Sequence, residues 1–233
     1  MRGPAAPAKV LVTRAEEDCA PLEELLRARG FTPVRMPCIA IEELPLDGLQ
    51  EDPDFVVVSS PRAARRLRGR FPRAQFAAVG EATAAALGRA GVLLPAAGTG
   101  ADALLATLLP LVRGKTVLLP RAEEGNPGLP AQLEANGARV TAVALYRTVV
   151  APFADPGVLA QLRAGAIEVA AFASGSAARG FVALAGADGA PQVACMGRLC
   201  AEEARKAGLR VDAVADGGLP ALCDAIEAAL SSR

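Results

Sequence analysis

The sequence predicts an α/β protein built from two copies of one unit, each with a parallel sheet covered by helices. Two observations carry this prediction. Short apolar segments of strand type alternate with helical segments that end in glycine along the chain. The same order of segments appears again about 110 residues later. Because alternating strands and helices form parallel sheets with helices on both faces, the duplicated pattern predicts two similar sheets.

The first strand and helix occur in both copies. The predicted strands are 9–13 and 116–119, and the predicted helices are 18–29 and 129–136. Pro21 suits a first helical turn, and Gly30 and Gly137 are the expected helix stops. Arg14 and Gly30 lie 107 residues before Arg121 and Gly137, and an acidic pair follows each arginine at the same distance. This common offset indicates an internal duplication.

The next strands and helices repeat as well. The predicted strands are 55–59, 77–80, 169–173 and 194–197. Ser60 and the proline after it form the start signal of a helix, an N-cap followed by proline at the first helical position. Gly80 and Gly91 lie 117 residues before Gly197 and Gly208, and an Ala-rich helix is expected between the members of each glycine pair.

Composition limits the classes of function. A chain of 233 residues can form one large domain or two of about 100–120 residues. Its formal net charge of zero argues against non-specific nucleic-acid binding. Among 25 basic residues only Lys9, Lys115 and Lys206 are lysines. The arginine excess permits a polyanionic ligand, although GC-rich codon usage explains most of it.

Cysteine and histidine usage bears on cofactors and location. The five cysteines contain no C-x-x-C pair, so neither a disulfide framework nor a zinc site is expected. The absence of histidine removes the usual metal ligand and general base. The first ten residues lack the apolar run of a signal peptide, and the apolar segment 104–112 is too short to span a bilayer. These features predict a cytoplasmic protein with no metal and no membrane contact.

In parallel α/β folds, ligands bind at the carboxyl ends of the strands, where helix N-termini point. The duplicated pattern places polar side chains from both copies at such edges, and two facing edges imply a cleft. These candidate binding residues are Arg14, Ser59, Ser60, Thr83, Arg121, Ser174, Ser176 and Cys200.

The chain resembles uroporphyrinogen-III synthase over nearly its whole length. The resemblance is carried by the order and spacing of segments that are individually weak. They are VLVTRAEE, RGFTPVRMPCIAIEEL, VVVSSPRAARRL, AVGEATAAALGRAG, VLLPRAEE, ANGARVTAVALYRT, AFASGSAARGF and MGRLCAEEARKAGL. It implies two flavodoxin-like domains joined by a two-stranded β linker, with a cleft between them. The copies are then exchanged, giving one domain over 1–37 plus 150–233, another over 38–149, and linker strands near 36–43 and 143–150. Periodicity alone equally allows two sequential domains.

The resemblance also implies a reaction. A synthase of this family converts linear hydroxymethylbilane to uroporphyrinogen III, with loss of water and inversion of the terminal pyrrole ring through a spiro intermediate. This makes it a hydro-lyase of heme, siroheme and cobalamin biosynthesis. It implies no metal or organic cofactor, a monomer, no nucleic-acid partner, and a tetrapyrrole substrate with acetate and propionate groups on each ring. A transient contact with hydroxymethylbilane synthase, which makes the unstable substrate, is left open.

Tyr146 is the only tyrosine in the chain, and it aligns with the tyrosine that the family places in the cleft. A phenol has an ordinary pKa of about 10, so it stays protonated at neutral pH and can donate a proton to a leaving hydroxyl. The plainer interpretation is a tyrosine that packs at a strand edge; the resemblance favours catalysis. By the 107-residue offset Tyr146 corresponds to Ile39, so only one crossing strand carries a phenol.

The resemblance assigns substrate contacts to the candidate residues above, and to Arg62 and Gly175. Thr83 and Cys200 are expected to be helix N-caps, with the thiol a departure from the usual hydroxyl. Ser60, Ser174 and Ser176 are expected to be caps that bind carboxylates, since no base accompanies them. Asn126 is a second departure, because the family often has arginine there.

Three other interpretations are weighed on the sequence, and the residues disfavour the first of them. The arginines Arg62, Arg65, Arg66, Arg68, Arg70 and Arg73 suggest a nucleic-acid surface, but without stacking aromatic residues a solvated helix face is the expected role, with Arg62 turned to the cleft. The chain can also be a non-catalytic two-domain module for a tetrapyrrole or another small anion. A degenerate synthase is the third alternative, motivated only by Cys200.

Overall fold

The structure, a computed structural model, describes residues 7–46, 49, 52–98, 100–125 and 128–231. The chain divides into two compact units, Met1–Ile41 with Thr148–Arg233 and Glu42–Arg147. The chain therefore leaves the first unit after Ile41 and returns to it at Thr148. Each unit contains one five-stranded sheet with helices on both faces, which confirms the predicted fold class.

The strands of the described residues are β1 (Lys9–Val12), β2 (Thr32–Arg35), β3 (Ile39–Glu43), β4 (Phe55–Val58), β5 (Gln75–Ala78), β6 (Thr116–Ala122), β7 (Arg139–Val150), β8 (Val169–Phe172), β9 (Gln192–Met196) and β10 (Ala213–Ala215). The helices are α1 (Ala20–Ala28), α2 (Pro61–Arg66), α3 (Glu81–Leu87), α4 (Ala101–Leu108), α5 (Gly128–Ala135), α6 (Pro156–Arg163), α7 (Gly175–Ala185), α8 (Arg198–Lys206) and α9 (Leu219–Ser231). A short 3-10 turn, Glu16–Asp18, precedes α1.

The first unit has a wholly parallel sheet in the order β10-β9-β8-β1-β2. If these five strands are numbered 1 to 5 along the chain and the sheet is listed from the β2 edge, the order is 2-1-3-4-5, which is the flavodoxin order. Alternation along β1 sets the two faces: Val10 and Val12 pack with α1 and α9, whereas Leu11 packs against α7 and α8. The strand centres are fully buried on both faces, as parallel strands are.

The second unit has the sheet order β3-β7-β6-β4-β5. The neighbours from β7 to β5 are parallel. Val57 faces the cluster formed with α4 and α5, and Val56 and Val58 face the cluster formed with α2 and α3. Four neighbouring strands of the second sheet have the same order as four of the first. In this order β7 corresponds to β2, β6 to β1, β4 to β8 and β5 to β9, as the sequence duplication predicts.

At the edge of the second sheet, β3 runs antiparallel to β7. The Leu44 amide donates to the Leu145 carbonyl at 2.9 Å, and the Ala151 amide donates to the Cys38 carbonyl at 3.2 Å, so residue numbers rise along one strand as they fall along the other. Pro37 lies between β2 and β3, where proline supplies no amide for a ladder. The duplicate segment has no proline and forms the single 12-residue strand β7.

Two predicted helix limits are wrong. The helix α3 ends at Gly88, whose φ of 66° is left-handed, and not at Gly91. The helix α2 ends at Arg66, so Arg68, Arg70 and Arg73 are not helical residues. Among the residues described, no helix is long and apolar enough to cross a membrane. The apolar segment 104–112, too short in the sequence to span a bilayer, overlaps α4, and the leucines of α4 pack into the core of the second unit.

The carboxylate of Glu23 fastens α1 to β2 in the first unit. Its side chain is 6% exposed and accepts two hydrogen bonds from Arg35, at 2.5 and 2.8 Å, and one from Arg27 at 3.0 Å. The hydrogen bonds from Arg35 hold the pKa of Glu23 below its ordinary value. The pKa of Glu23 is lower in the folded protein than in the unfolded chain. The ion pair of Glu23 with Arg35 therefore stabilises the fold fully at pH values above the unfolded pKa. This stabilisation is lost as the pH falls through the folded pKa.

We expect Glu23→Gln to lower the free energy of unfolding by about 2 kcal/mol at neutral pH, because the Arg35 fork then faces a neutral amide. The difference from wild type shrinks as the pH falls from about 5 to about 3, where the glutamate is protonated as well. Urea unfolding at a series of pH values measures it. Glu24→Gln, at an exposed neighbour, is the matched control and stays within about 0.5 kcal/mol of wild type. A pH-independent difference would contradict the prediction.

Candidate active site

Tyr146 lies near the carboxyl end of β6, where the ladder between β6 and β7 is irregular. Arg121 pairs with Ala144, but the next residue, Ala122, pairs with Tyr146, so Leu145 is an extra residue in β7. A bulge of this kind turns the strand and changes the direction of the following side chain. Leu145 is fully buried in the apolar cluster under α2, whereas Tyr146 stays half-buried beside it.

The bulged backbone is held by polar contacts. The Leu145 carbonyl accepts hydrogen bonds from the Leu44 amide and from the Arg66 guanidinium. Arg66, with a side chain 15% exposed, also lies 3.5 Å from the Glu43 carboxylate. The Tyr146 carbonyl accepts from the Glu123 amide at 2.8 Å. The helix α2 and the bulge in β7 are therefore tied together, which fixes the phenol relative to the first turn of α2.

The start of α2 supplies two side chains that contact Tyr146. Ser60 is the N-cap of this helix, and its Oγ accepts from the Ala63 amide at 3.1 Å, as predicted. The same Oγ lies 3.0 Å from Tyr146 Oη. The Arg62 guanidinium carbon lies 5.8 Å from the centre of the tyrosine ring, within the range of a cation–π contact. Tyr146, Ser60 and Arg62 thus form one cluster within the second unit, called the phenol cluster below.

The arginine-rich segment is only partly the solvated face that the sequence predicts. Arg65, Arg68, Arg70 and Arg73 are exposed. Arg62 and Arg66 are half-buried and contact β7, because the short helix α2 turns that side toward the bulge. The interpretation as a solvated face is wrong for Arg66, whose guanidinium contacts Leu145 and Glu43. The expectation that Arg62 turns to the cleft stays a prediction.

In the first unit, the start of α7 is the duplicate of the start of α2, but no tyrosine lies at the corresponding position. Ser174 is the N-cap of α7, and its Oγ accepts from the Ala177 amide at 3.3 Å, as predicted. Ser176 lies inside the first turn, so its predicted role as a cap is wrong. Gly175 begins the helix, and a Cβ there would lie 2.5 Å from Glu203 Cβ, so α7 packs closely on α8.

Thr83 and Cys200 are not helix caps, which corrects the expectation from the sequence. Gly80 and Gly197 hold the N-cap positions of α3 and α8, and neither cap makes a side-chain hydrogen bond. Thr83 and Cys200 lie in the first turn of their helices, only 3% and 5% exposed. The Cys200 thiol donates to the Phe172 carbonyl at 3.4 Å. A thiol in this position packs into the core, so its weakness as a cap has no consequence.

The two duplicated arginines differ in their surroundings. Arg121 bends back and donates to the Gly125 carbonyl at 2.8 Å. Arg14 is half-buried after β1, and its guanidinium makes no hydrogen bond or ion pair with the residues that the structure describes. Ser59 is exposed directly after β4. Asn126, the second departure from the family pattern, lies outside the described residues.

A cavity of about 560 Å³ in the first unit was not predicted. Its wall is mainly apolar, and its charged members are the acidic pair after Arg14 together with Arg35 and Asp155. The lining residues are Glu16, Glu17, Arg35, Met36, Pro37, Ile39, Ala40, Ala151, Pro152, Phe153, Ala154 and Asp155. Of these lining residues, only the acidic pair Glu16 and Glu17 was noted in the sequence, and only as a mark of the duplication. Phe153 is 76% exposed at this cavity.

All five thiols are free and buried. Burial raises the pKa of Cys38, and it raises the pKa of Cys19 to about 11, so neither thiol is a nucleophile near neutral pH. Among the described residues, no three histidine, cysteine, aspartate or glutamate side chains gather as metal ligands. Of the candidate residues with a dissociable proton, Cys200 is buried in the core, whereas the half-buried phenol of Tyr146 is held by Ser60 and Arg62.

Two flavodoxin-like units and a phenol held on a bulged strand define a two-unit α/β protein with a candidate acid catalyst. A family model described as uroporphyrinogen-III synthase HemD matches residues 20–217. The chain belongs to the uroporphyrinogen-III synthase family, an enzyme family of tetrapyrrole biosynthesis.

Two solved structures are similar to the chain over 97% of its length. A mutant uroporphyrinogen III synthase from the extremely thermophilic bacterium Thermus thermophilus is 21% identical, with a TM-score of 0.59, covering 97% of this chain and 100% of that one. The uroporphyrinogen-III synthetase from Helicobacter pylori is 18% identical, with a TM-score of 0.64 and the same coverage. At these identities the similarity shows the common fold.

Proposed function

We propose that this chain closes hydroxymethylbilane to uroporphyrinogen III as a carbon–oxygen lyase, with Tyr146 as the proton donor. The observation that carries the proposal is the phenol cluster: Tyr146 is fixed by the bulge in β7, and its hydroxyl lies on the capped start of α2. The Arg62 guanidinium lies over the ring, 5.8 Å from its centre, and is a second contact that holds the phenol.

The proposed step balances without a cofactor. The phenolic proton moves to the hydroxyl of the terminal hydroxymethyl group, the carbon–oxygen bond breaks, and water leaves. The remaining carbon cation, stabilised by its pyrrole nitrogen, is attacked by the terminal pyrrole ring to give the spiro intermediate. After ring inversion and closure, the ring carbon loses a proton, and the phenolate can take it back. The protein's main contribution is to hold the reactive chain so that this route is faster than spontaneous closure.

The substrate carboxylates are proposed to bind at the carboxyl edges of the sheets. Arg14 supports this in the first unit, since its guanidinium is not engaged by described residues. The starts of α7 and α8 add backbone N–H groups at the positive ends of helices. Contacts from Ser59, Thr83, Arg121, Ser174, Gly175, Ser176 and Cys200 remain part of the proposal. The burial of Thr83 and Cys200 limits these two to support of their helix starts.

Domain limits, assembly and location are also proposals. The two units, each with its own sheet and apolar clusters, support domains close to 1–37 plus 150–233 and 38–149, with linker strands near 36–43 and 143–150. We propose a monomer in the cytoplasm, which the free thiols support because a reducing compartment maintains them. A transient contact with hydroxymethylbilane synthase would deliver the unstable substrate.

An isomer assay tests the proposed activity. Freshly generated hydroxymethylbilane is added to the protein, the product is oxidised, and the porphyrin isomers are separated. Isomer III in excess of the spontaneous background is expected. Isomer I formed at the spontaneous rate would leave only a tetrapyrrole-binding role, and binding without turnover would then identify the non-catalytic alternative.

A further inference from the structure

The hydroxyl of Ser60 has more contacts than a cap needs. It accepts the Ala63 amide at 3.1 Å and also lies 3.0 Å from Tyr146 Oη. Its duplicate, Ser174, makes the same bond to the Ala177 amide, while the position corresponding to Tyr146 is Ile39. The serine cap is thus common to both copies, and the bond to a phenol is present in one.

We propose that Ser60 is a positioning residue, which donates its hydroxyl proton to Tyr146 Oη and so leaves the phenolic proton directed to substrate. This deepens the proposed function and rests on it. A serine hydroxyl has one proton and two acceptor sites. If the phenol were the donor, Ser60 Oγ would accept twice, and its own proton would have no acceptor on the described part of the chain. If Ser60 is the donor, its own proton is used within the chain, and the phenolic proton is the one left without an acceptor among the described residues and available to substrate.

Local electrostatics supports the same direction. The amide that Ser60 accepts lies in the first turn of α2, where the unpaired N–H groups are positive. Accepting this bond polarises the serine O–H and makes it a stronger donor. As the phenol loses its proton in the reaction, the bond from Ser60 becomes a bond to an anion, which is about twice as strong.

Three substitutions at Ser60 separate capping from proton direction. Ser60→Thr keeps a cap and a donor and should retain activity within about threefold. Ser60→Ala removes both and should lower kcat about tenfold with little change in KM. Ser60→Asp keeps an excellent cap but has only acceptors when ionised. It forces the phenol to donate to it, and kcat should fall at least as far as in Ser60→Ala.

A spectroscopic readout reports the hydrogen bond without any turnover. Tyr146 is the only tyrosine of the chain, so the tyrosine Fermi doublet in the off-resonance Raman spectrum belongs to it alone, and Tyr146→Phe supplies the blank. The intensity ratio of this doublet is high when the phenol oxygen accepts a strong hydrogen bond and low when the phenol donates one. We expect a high ratio in wild type and Ser60→Thr, an intermediate ratio in Ser60→Ala, and a low ratio in Ser60→Asp.

Stability is compared with Ser174→Ala, the same loss of a cap in the other copy. Similar falls in the urea midpoint are expected for Ser60→Ala and Ser174→Ala, which shows how much of the stability change in Ser60→Ala comes from the cap alone. A low doublet ratio in wild type, or an active Ser60→Asp, would overturn the proposal. Full activity of Tyr146→Phe would instead refute the catalytic role of the phenol, while the Raman ratio would still report the direction of the bond.

Discussion

Replacing Tyr146 with phenylalanine is expected to lower kcat for uroporphyrinogen III formation by about 10²–10³-fold, within the range of general acid catalysis. The substitution removes the phenolic oxygen alone. The ring remains to pack against the apolar cluster beneath α2, and the bulge is held by backbone bonds and Arg66, which the substitution does not touch. The loss is therefore expected in the chemical step and not in the fold.

The measurement is the initial rate of isomer III formation, corrected for the isomer I that forms spontaneously. Unfolding in urea is the control, and the free energy should change by no more than about 1 kcal/mol, the worth of the bond between Tyr146 and Ser60. Unchanged turnover would reduce Tyr146 to a packing residue of β7. A large fall in stability would show that the phenol holds the bulge, and the rate would then not be evidence for acid catalysis.

The phenol cluster shows which parts of the site the sequence could predict. The Ser60 cap was predicted, because a serine followed by proline after a buried strand is a local signal. The resemblance selected Tyr146. The contact between them was not predicted, since it depends on the extra residue at Leu145, and a bulge in a parallel pair has no signature in the alternation of side chains.

The misplaced caps have a similar cause. Thr83 and Cys200 occupy matching positions in the duplicated motifs, and a hydroxyl near a helix start suggested a cap. In both helices the glycine three residues earlier holds the N-cap position. Gly197 has a φ of 82°, which only glycine adopts readily, so α8 begins there and Cys200 turns into the core. Gly80 has an extended backbone and carries no such requirement. The glycine spacing, which revealed the duplication, was the better guide to the helix start.

A second consequence of the fold is a close contact between α7 and the chain segment before β3. Gly180 is buried in the middle of α7, and a Cβ built on it would lie 2.0 Å from the Cys38 carbonyl oxygen and 2.9 Å from its carbon. That carbonyl also accepts the Ala151 amide at 3.2 Å. The obstacle is backbone held by a hydrogen bond, so it cannot rotate away as a flexible side chain would.

Gly180→Ala is therefore expected to lower the free energy of unfolding by about 3 kcal/mol, although alanine is the better helix former by about 1 kcal/mol. The methyl group must push α7 away from Cys38 or break the bond to Ala151, and either change loosens the core of the first unit. Urea unfolding monitored by circular dichroism measures the effect. Ala183→Gly, at an exposed position of the same helix, is the matched control. It measures only the difference in helix propensity between alanine and glycine, and should lower the free energy of unfolding by about 1 kcal/mol. A Gly180→Ala protein as stable as wild type would show that α7 does not rest on the Cys38 carbonyl.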